Sequence, residues 1–548
     1  LEKCFHDEAL SDHPRLKKAS MLRNERYSFQ LAMQLQDRTC KDKKEVYLRV
    51  KSALAAYLEV KLVREVPSMF PCYGDARRRE YLRRTPGLYP DLLEPLAEGR
   101  EIPLVPGQLR SLWFTIEPHV GMPTGEQKIE LELLDENSML LARETLALTV
   151  IGMDLPAQGL TFTQWFHCDC LAVYYGAHVF SERHWEIIEN FLRTARRYGM
   201  NMVLTPVFTP PLDTAVGAER PTVQLVDVTV EGGKYRFGFE KLDRWVHLCL
   251  RLGFEQFEIS HFFTQWGAAH APKIVARVEG RTKRIFGWET EAAGEAYASF
   301  LHAFLDALIP HLKELGIDSR CRFHISDEPS EDSLGNYQAA KRIVEERLKG
   351  YPIMDALSSY EFYRQGVSEC PIPSNDHIEP FLEHSVPHLW TYYCCGQSNG
   401  VSNRFLSMPS VNNRIIGTQF YKYGIEGFLH WGYNFYFSQL SRHAVNPFLV
   451  TDGDYMVPSG DAFSVYPAPD GTAWESLRLV VFHEALQDQR ALELCESLYG
   501  RAFVMRLLEG GLRGRITFSS YPRRAAFLLR LRERVNAAIA ARQENAEV

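Results

Sequence analysis

The sequence predicts a mixed architecture, α/β plus all-β: a (β/α)8 TIM-like barrel with an N-terminal β-sandwich domain and a small C-terminal extension. Three observations predict it. From about residue 26 to 150 the chain carries only short alternating runs separated by Gly, Pro, Asn and charged turns, the texture of a sandwich. After a break at MDLPAQGL (153–160), strand-like runs alternate with amphipathic helical stretches up to about residue 440, as in a parallel barrel. No Gly-rich phosphate turn follows the first of these runs, which disfavours the competing open, doubly wound sheet.

The expected segments are 1–155 for the sandwich, 156–440 for the barrel, and 441–548 for a piece that completes the barrel and ends in helices. At 548 residues the chain exceeds the size at which one core stops growing, so more than one domain is expected. The sandwich runs are YSFQLAMQL, EVYLRVKSAL, AYLEVKLVREV, QLRSLWFTIEP, KIELELLD and ETLALTVIGM. In the second region the strand candidates are TFTQWFH (161–167), MNMVLTPV (200–207), QFEISHF (256–262), RFHIS (322–326), PIMDALS (352–358), HLWTYYC (388–394) and EGFLHWGY (426–433). Helical periodicity marks 182–198, 239–252, 292–315 and 332–349 between them, then about 475–498 and a basic stretch of about 523–543. The basic helix reads by default as docked on its own chain.

Composition narrows the function classes. A net charge of −7 and a pI near 6.3 give no electrostatic reason to expect nucleic acid or an anionic membrane as partner. The cluster Arg77, Arg78, Arg79, Arg83 and Arg84 lies in an aperiodic, acid-containing stretch and reads as a solvated loop. No run of 18 apolar residues suggests a membrane span, and the N-terminus lacks the order of a secretory signal. Eleven scattered cysteines, an odd number without scaffold spacing, point to a reducing cytoplasm. The sequence leaves the oligomeric state open, a homodimer included.

The chemistry gathers at strand ends. FHISDEPS (323–330) alternates Phe323 and Ile325 against His324 and Ser326, then delivers two adjacent carboxylates, Asp327 and Glu328, before Pro329. Pro329 should bias Glu328 toward extended geometry, end the strand and release both acids into a loop at a carboxyl end, where barrel active sites are built. Spacing alone is equally consistent with Asp327 capping the following helix. Other strand ends carry Trp165, His167 and Asp169, then Asp213, then His261, Gln265 and Trp266, then Tyr392 and Tyr393, and last His430, Trp431 and Asn434. Rings that stack on C–H faces, with polar groups to fix hydroxyls, suit a sugar pocket, and 12% aromatic content agrees. Singly, each such residue is more often packing than ligand contact.

No metal and no other cofactor is expected. His167, Cys168, Asp169 and Cys170, with Cys394 and Cys395, do not have the spacing of ordinary zinc modules. Ser/His/Asp nucleophilic chemistry is not expected.

The acid pair at a fourth strand end, together with TQWFHCDCLAVYYG, TPPLDT, ERPTVQLV, FTQWGA, WTYYCC, GFLHWGYNFY and the late VYPAPDG segment before SLRL (476–479), resembles glycoside hydrolase family 123. More closely, it resembles the bacterial proteins grouped under domain of unknown function 4091. The resemblance implies a retaining β-N-acetylgalactosaminidase whose nucleophile is the substrate's own 2-acetamido group, acting on a glycan or glycoconjugate. It implies Glu328 as general acid and then base, with Asp327 holding the acetamido N–H. It also suggests Tyr392 or Tyr393 on the acetamido carbonyl, with Trp266 and Trp431 as pocket walls. Adjacent carboxylates reach both faces of a sugar poorly, as an acid and nucleophile about 5 Å apart must, but can serve one side of it. Two alternatives stay open: a conventional glycosidase with Asp169, Asp213 or Glu258 as a third carboxylate, and a silent glycan-binding protein.

Overall fold

The computed structural model describes residues 1–36, 42–329 and 331–547, so Cys40 and Ser330 lie outside the described residues. These fall into two compact units. The first comprises Leu1–Gln158, Ser398–Tyr423 and Trp474–Val548, the second Gly159–Gln397 and Gly424–Ala473. The chain passes from one unit to the other more than once.

The first unit is built on two β-rich sheets. Lys18–Leu22, Leu140–Ile151, Gly125–Leu134, Lys44–Lys51 and Ile102–Leu104 form one, in that order, and Tyr27–Gln34, Leu109–Ile116, Leu58–Ser68 and Gly87–Pro95 the other. Alternation sets which side chains turn inward: Ile129 and Leu131 of the first sheet and Phe29, Phe114 and Leu112 of the second share one buried apolar core. Helices Ser410–Tyr423 and Leu477–Tyr499 also belong to this unit. They approach closely at Gly417, where a Cβ would fall 1.9 Å from the Ala485 carbonyl oxygen. Arg414 on the first donates to Glu484 and Asp488 on the second at 2.6 Å each. The basic terminal helix, Ala525–Glu547, buries Leu528, Leu531, Val535 and Ile539 within this unit, and its Arg532 pairs with Asp488 and Glu25.

The second unit holds the parallel strands. Thr161–Gln164 and Trp390–Tyr392 each pair with Gly427–His430, while Met202–Thr205, Gln256–Ile259 and Cys321–Phe323 form a second parallel set. Met354–Ala356 pairs with Cys370–Ile372. Single bridges, Phe323 to Ile353 and Ser374 to Tyr392, extend these sets toward one another, and the Asn201 N–H donates to the Phe162 carbonyl at 3.1 Å. Between strands come helices such as Glu182–Arg197, started by the Ser181 hydroxyl accepting from the His184 N–H. Its inner face buries Trp185, Ile187, Ile188, Phe191 and Leu192. Gly427 is required where its strand passes Trp390, since a Cβ would lie 2.0 Å from the indole.

Several elements escaped the sequence pattern, among them the helix Ser410–Tyr423 and the strand Gly87–Pro95. Cys370–Ile372 is a strand of three residues with proline at its centre, too short to show alternation. The four-stranded mixed sheet of Asp227–Glu231, Lys234–Gly238, Ile274–Val278 and Arg281–Phe286, two antiparallel pairs joined by a parallel one, is an insertion among the βα repeats. Among the described residues no helix is long and apolar enough to cross a membrane.

Candidate active site

The acid pair sits just beyond the Cys321–Phe323 strand, on a segment stitched along one flank. The N–H groups of Phe262, Phe263 and Trp266 donate to the carbonyls of His324, Ile325 and Asp327 at 3.4, 3.1 and 2.9 Å. The Ser326 hydroxyl donates to the Thr264 carbonyl at 2.8 Å. At Glu328 the expectation of extended backbone is wrong. Its φ is +42°, in the left-handed region that non-glycine residues seldom adopt. The turn overrides the local preference set by Pro329, and the side chain of Glu328 leaves the alternation of the strand.

That turn brings Glu328 to Tyr392, whose hydroxyl donates to Oε1 at 2.8 Å. Both line a cavity of about 260 Å³ with Pro329, Ala356, Ser358, Ser359 and Phe362. Tyr393 points away: it is buried, with its ring edge-on to Phe428 and His430. The alternation of a strand requires this split between neighbours. Trp266 is 55% exposed, adopts φ +58° and gives its backbone N–H to the Asp327 carbonyl.

Behind the pair lies a buried row of charge. His324 gives Nε2 to Glu258 at 2.7 Å and Nδ1 to Asp355 at 3.0 Å. Asp355 also accepts from the Tyr337 hydroxyl at 2.6 Å and the Ile325 N–H at 3.2 Å. Glu258 takes two more donors, Thr163 at 2.7 Å and Trp165 Nε1 at 2.6 Å. Burial opposes charge on His324, but the bonds to Asp355 and Glu258 and their charges outweigh it and raise its pKa to about 10. His261 stacks on His324 with ring centroids 4.3 Å apart, and burial and that cation hold it well below the ordinary histidine value. Asp327 is raised well above the usual carboxylate range, first by burial and then by Glu328, with His324 opposing.

A second polar cluster joins His167, Asp169, Asn434 and Trp431. Arg220 makes a paired contact with Asp169 at 2.7 and 2.8 Å and donates to His167 Nδ1 at 3.2 Å. Nε2 of His167 donates to the Trp431 carbonyl at 2.9 Å, while Asn434 accepts from the His167 N–H and donates to its carbonyl. Burial first, and then Arg220, lower the His167 pKa to about 4, so the ring is neutral. The indole of Trp431 donates to Asp461 at 2.7 Å. Asp213, at φ +41°, gives its N–H to Gln265 and accepts from the Leu440 N–H at 3.0 Å, and burial raises its carboxyl to about 6.

Of the sequence candidates, Asp327, Glu328, Tyr392 and Trp266 meet around the acid pair, and His261 lies in the buried row. His167, Asp169, Trp431 and Asn434 form the Arg220 cluster, with Asp213 tied to Gln265. Sequence reasoning missed Arg220, His324, Asp355, Ser358, Ser359 and Phe362. An aspartate within the apolar run PIMDALS was the available signal for Asp355, since a carboxylate there demands partners. His261, His324 and Asp355 offer ligand atoms within 4.8 Å of one another. Both His324 nitrogens are donors to carboxylates, and an imidazolium has no lone pair left for an ion.

The model of the glycoside hydrolase 123 catalytic domain matches residues 165–495, a range that includes Asp327, Glu328 and Tyr392 as well as His167, Asp169, Arg220 and Asn434. The enzyme class is therefore glycoside hydrolase. Within it, the chain belongs to glycoside hydrolase family 123, the β-N-acetylgalactosaminidase family. Among solved structures it is similar to a family 123 glycoside hydrolase from Clostridium perfringens, described for glycolipid glycan hydrolysis. The identity is 15%, with 97% of this chain and 94% of that chain covered and a TM-score of 0.71. A β-glucuronidase from Parabacteroides merdae aligns at 11% identity over 85% of this chain and 50% of that chain, with a TM-score of 0.31. No curated protein sequence matches the chain.

Proposed function

We propose that the protein removes terminal β-linked N-acetylhexosamine, N-acetylgalactosamine first among them, by a retaining, substrate-assisted reaction. One observation carries the choice of mechanism: each carboxylate considered as a protein nucleophile is already engaged. Glu258 holds three donors, Asp169 is clamped by Arg220, and Asp213 is bound at the Leu440 N–H. The adjacent pair remains. The acetamido oxygen attacks the anomeric carbon as the bond to the leaving oxygen breaks, and Glu328 gives that oxygen its proton. Asp327 receives the acetamido N–H as nitrogen gains positive character. Glu328 then takes a proton from the water that opens the cyclised intermediate. Hydrolysis of an aryl β-N-acetylgalactosaminide but not of the matching β-galactoside tests this reading; equal rates would return weight to a conventional mechanism.

The fold that serves this chemistry is, in the same reading, a (β/α)8 barrel preceded by a β-sandwich. The parallel sets, their single bridges and the fourth-strand position of the acids support the barrel, and the shared core of the two N-terminal sheets supports the sandwich. The consecutive partition at 155/156 and 440/441 belongs to this proposal. Glycan headgroups of lipids are a substrate class suggested by the Clostridium perfringens enzyme's description. A cytoplasmic site of action rests on the scattered cysteines, and recovery in a secreted fraction would remove it.

A further inference from the structure

The cavity beside Glu328 has walls that the reaction as written above does not use. Glu328 must address the bond to the leaving oxygen, whereas Asp327, which serves the acetamido group of the sugar being cleaved, is not among the residues around the cavity. The space of about 260 Å³ therefore lies on the side of the departing group. Phe362, Ala356 and Pro329 give it an apolar wall, and Ser358, Ser359 and Tyr392 a polar one. A sugar ring, with C–H faces and hydroxyl edges, matches both.

The polar wall has a fixed polarity. The Ser374 hydroxyl lies 2.6 Å from the Asp376 carboxylate, which only accepts, so its one proton goes there. Gln397 Nε2 donates to the same oxygen at 3.1 Å, and so does His377 Nδ1 at 2.9 Å, which leaves that ring nitrogen unable to take the Ser374 proton. At the 3.1 Å contact between the Ser358 and Ser374 hydroxyls, Ser358 is then the donor. Ser358 also accepts from the Ser374 N–H at 3.1 Å. A hydroxyl has one proton and two acceptor positions, so half-buried Ser358 keeps a single acceptor position and no proton to give. The Tyr392 hydroxyl, its proton held by Glu328 at 2.8 Å, is likewise an acceptor. Such a wall asks for a donor on the group that departs.

We propose that Ser358 is a specificity-determining residue on the leaving-group side: held as a hydrogen-bond acceptor by Ser374 and Asp376, it reads a hydroxyl of the departing sugar. The inference rests on the role given to Glu328 in the proposed function. It makes the favoured substrate a glycan in which the cleaved residue is linked to another sugar, rather than to an aryl or alkyl group without a hydroxyl to offer.

The test compares kcat/KM on a β-N-acetylgalactosaminyl disaccharide and on the aryl β-N-acetylgalactosaminide, in wild type and Ser358→Ala. The variant should lose about three- to ten-fold more on the disaccharide than on the aryl substrate, the worth of one hydrogen bond between uncharged groups. Equal losses, or none, overturn the proposal. Monodeoxy forms of the departing sugar locate the contact. One of them should be cleaved about three- to ten-fold more slowly than its parent by wild type, and as fast as its parent by Ser358→Ala. Fluorine at that position accepts but cannot donate, so it should cost as much as deletion; a fluoro analogue cleaved like the parent would make Ser358 a donor and overturn the proposal. If Ser358→Ala fails to fold, the deoxy and fluoro series on wild type decides, and the absence of a sensitive position overturns the inference. Wild type that cleaves neither N-acetylated substrate would sink the proposed function and this inference with it, whereas cleavage of both with an unmoved ratio would sink only the role of Ser358.

Discussion

Tyr392 donates its hydroxyl to Oε1 of Glu328 across 2.8 Å, joining a residue at the end of one strand to an acid carried on a left-handed turn beyond another. The bond fixes where the carboxyl points. Tyr392→Phe should therefore lower kcat/KM about ten-fold or somewhat more, the worth of one hydrogen bond to a charged group, with little change in stability. Steady-state kinetics beside a thermal melt check this, and an unchanged kcat/KM would deny the bond a part in catalysis.

Glu328→Gln keeps the shape of the side chain and removes its proton. Turnover of natural glycans should fall by about 10²- to 10⁴-fold, and less for aryl glycosides whose leaving group needs little protonation. Binding should persist, since the amide still fills the cavity beside Tyr392 and Ser358. Product assays on both substrate types, with calorimetry on the variant, read the two effects separately.

Arg220 shows how much of the surroundings is structural. It is buried, clamped on Asp169 and bonded to the Leu212 carbonyl at 2.9 Å. Arg220→Leu would leave Asp169 charged and alone in the interior, and a loss of roughly 3–5 kcal/mol is expected. Urea unfolding measures it. A variant as stable as wild type would mean that Asp169 takes up a proton at little cost.

His324 also predicts a pH dependence of stability. Its folded pKa, about 10, lies above the ordinary 6.5, so the folded chain holds this proton more tightly than the unfolded chain. The contribution is complete below about pH 6.5 and is lost as pH rises toward about 10, by an amount of the order of a few kcal/mol. Urea midpoints at pH 6.5 and pH 9.5 should differ in wild type and converge in His324→Gln.

The fold was legible where side chains face one environment along a whole element. The Glu182–Arg197 helix and the long N-terminal strands show their period because each buries one face. Cys370–Ile372 was not legible, since three residues carry no period. The acid pair stood out because two carboxylates at a strand end need a reason, and alternation required one of Tyr392 and Tyr393 to face away without saying which. Two site features depend on distant partners. The backbone of Glu328 is settled by the turn rather than by Pro329, and the charge on His324 is settled by Glu258 and Asp355, 66 and 31 residues away in sequence. Local pattern carries neither.

The central claim is that the substrate's acetamido group does the work of a nucleophile, oriented by Asp327. The most direct measurement is release of nitrophenol from the β-N-acetylgalactosaminide, β-N-acetylglucosaminide and β-galactoside, by wild type and by Asp327→Asn, with and without a thiazoline mimic of the cyclised intermediate. The account predicts cleavage of an N-acetylated substrate alone, blocked by the thiazoline and crippled in Asp327→Asn. Cleavage of the galactoside at a comparable rate, indifferent to the thiazoline and to Asp327, would contradict it.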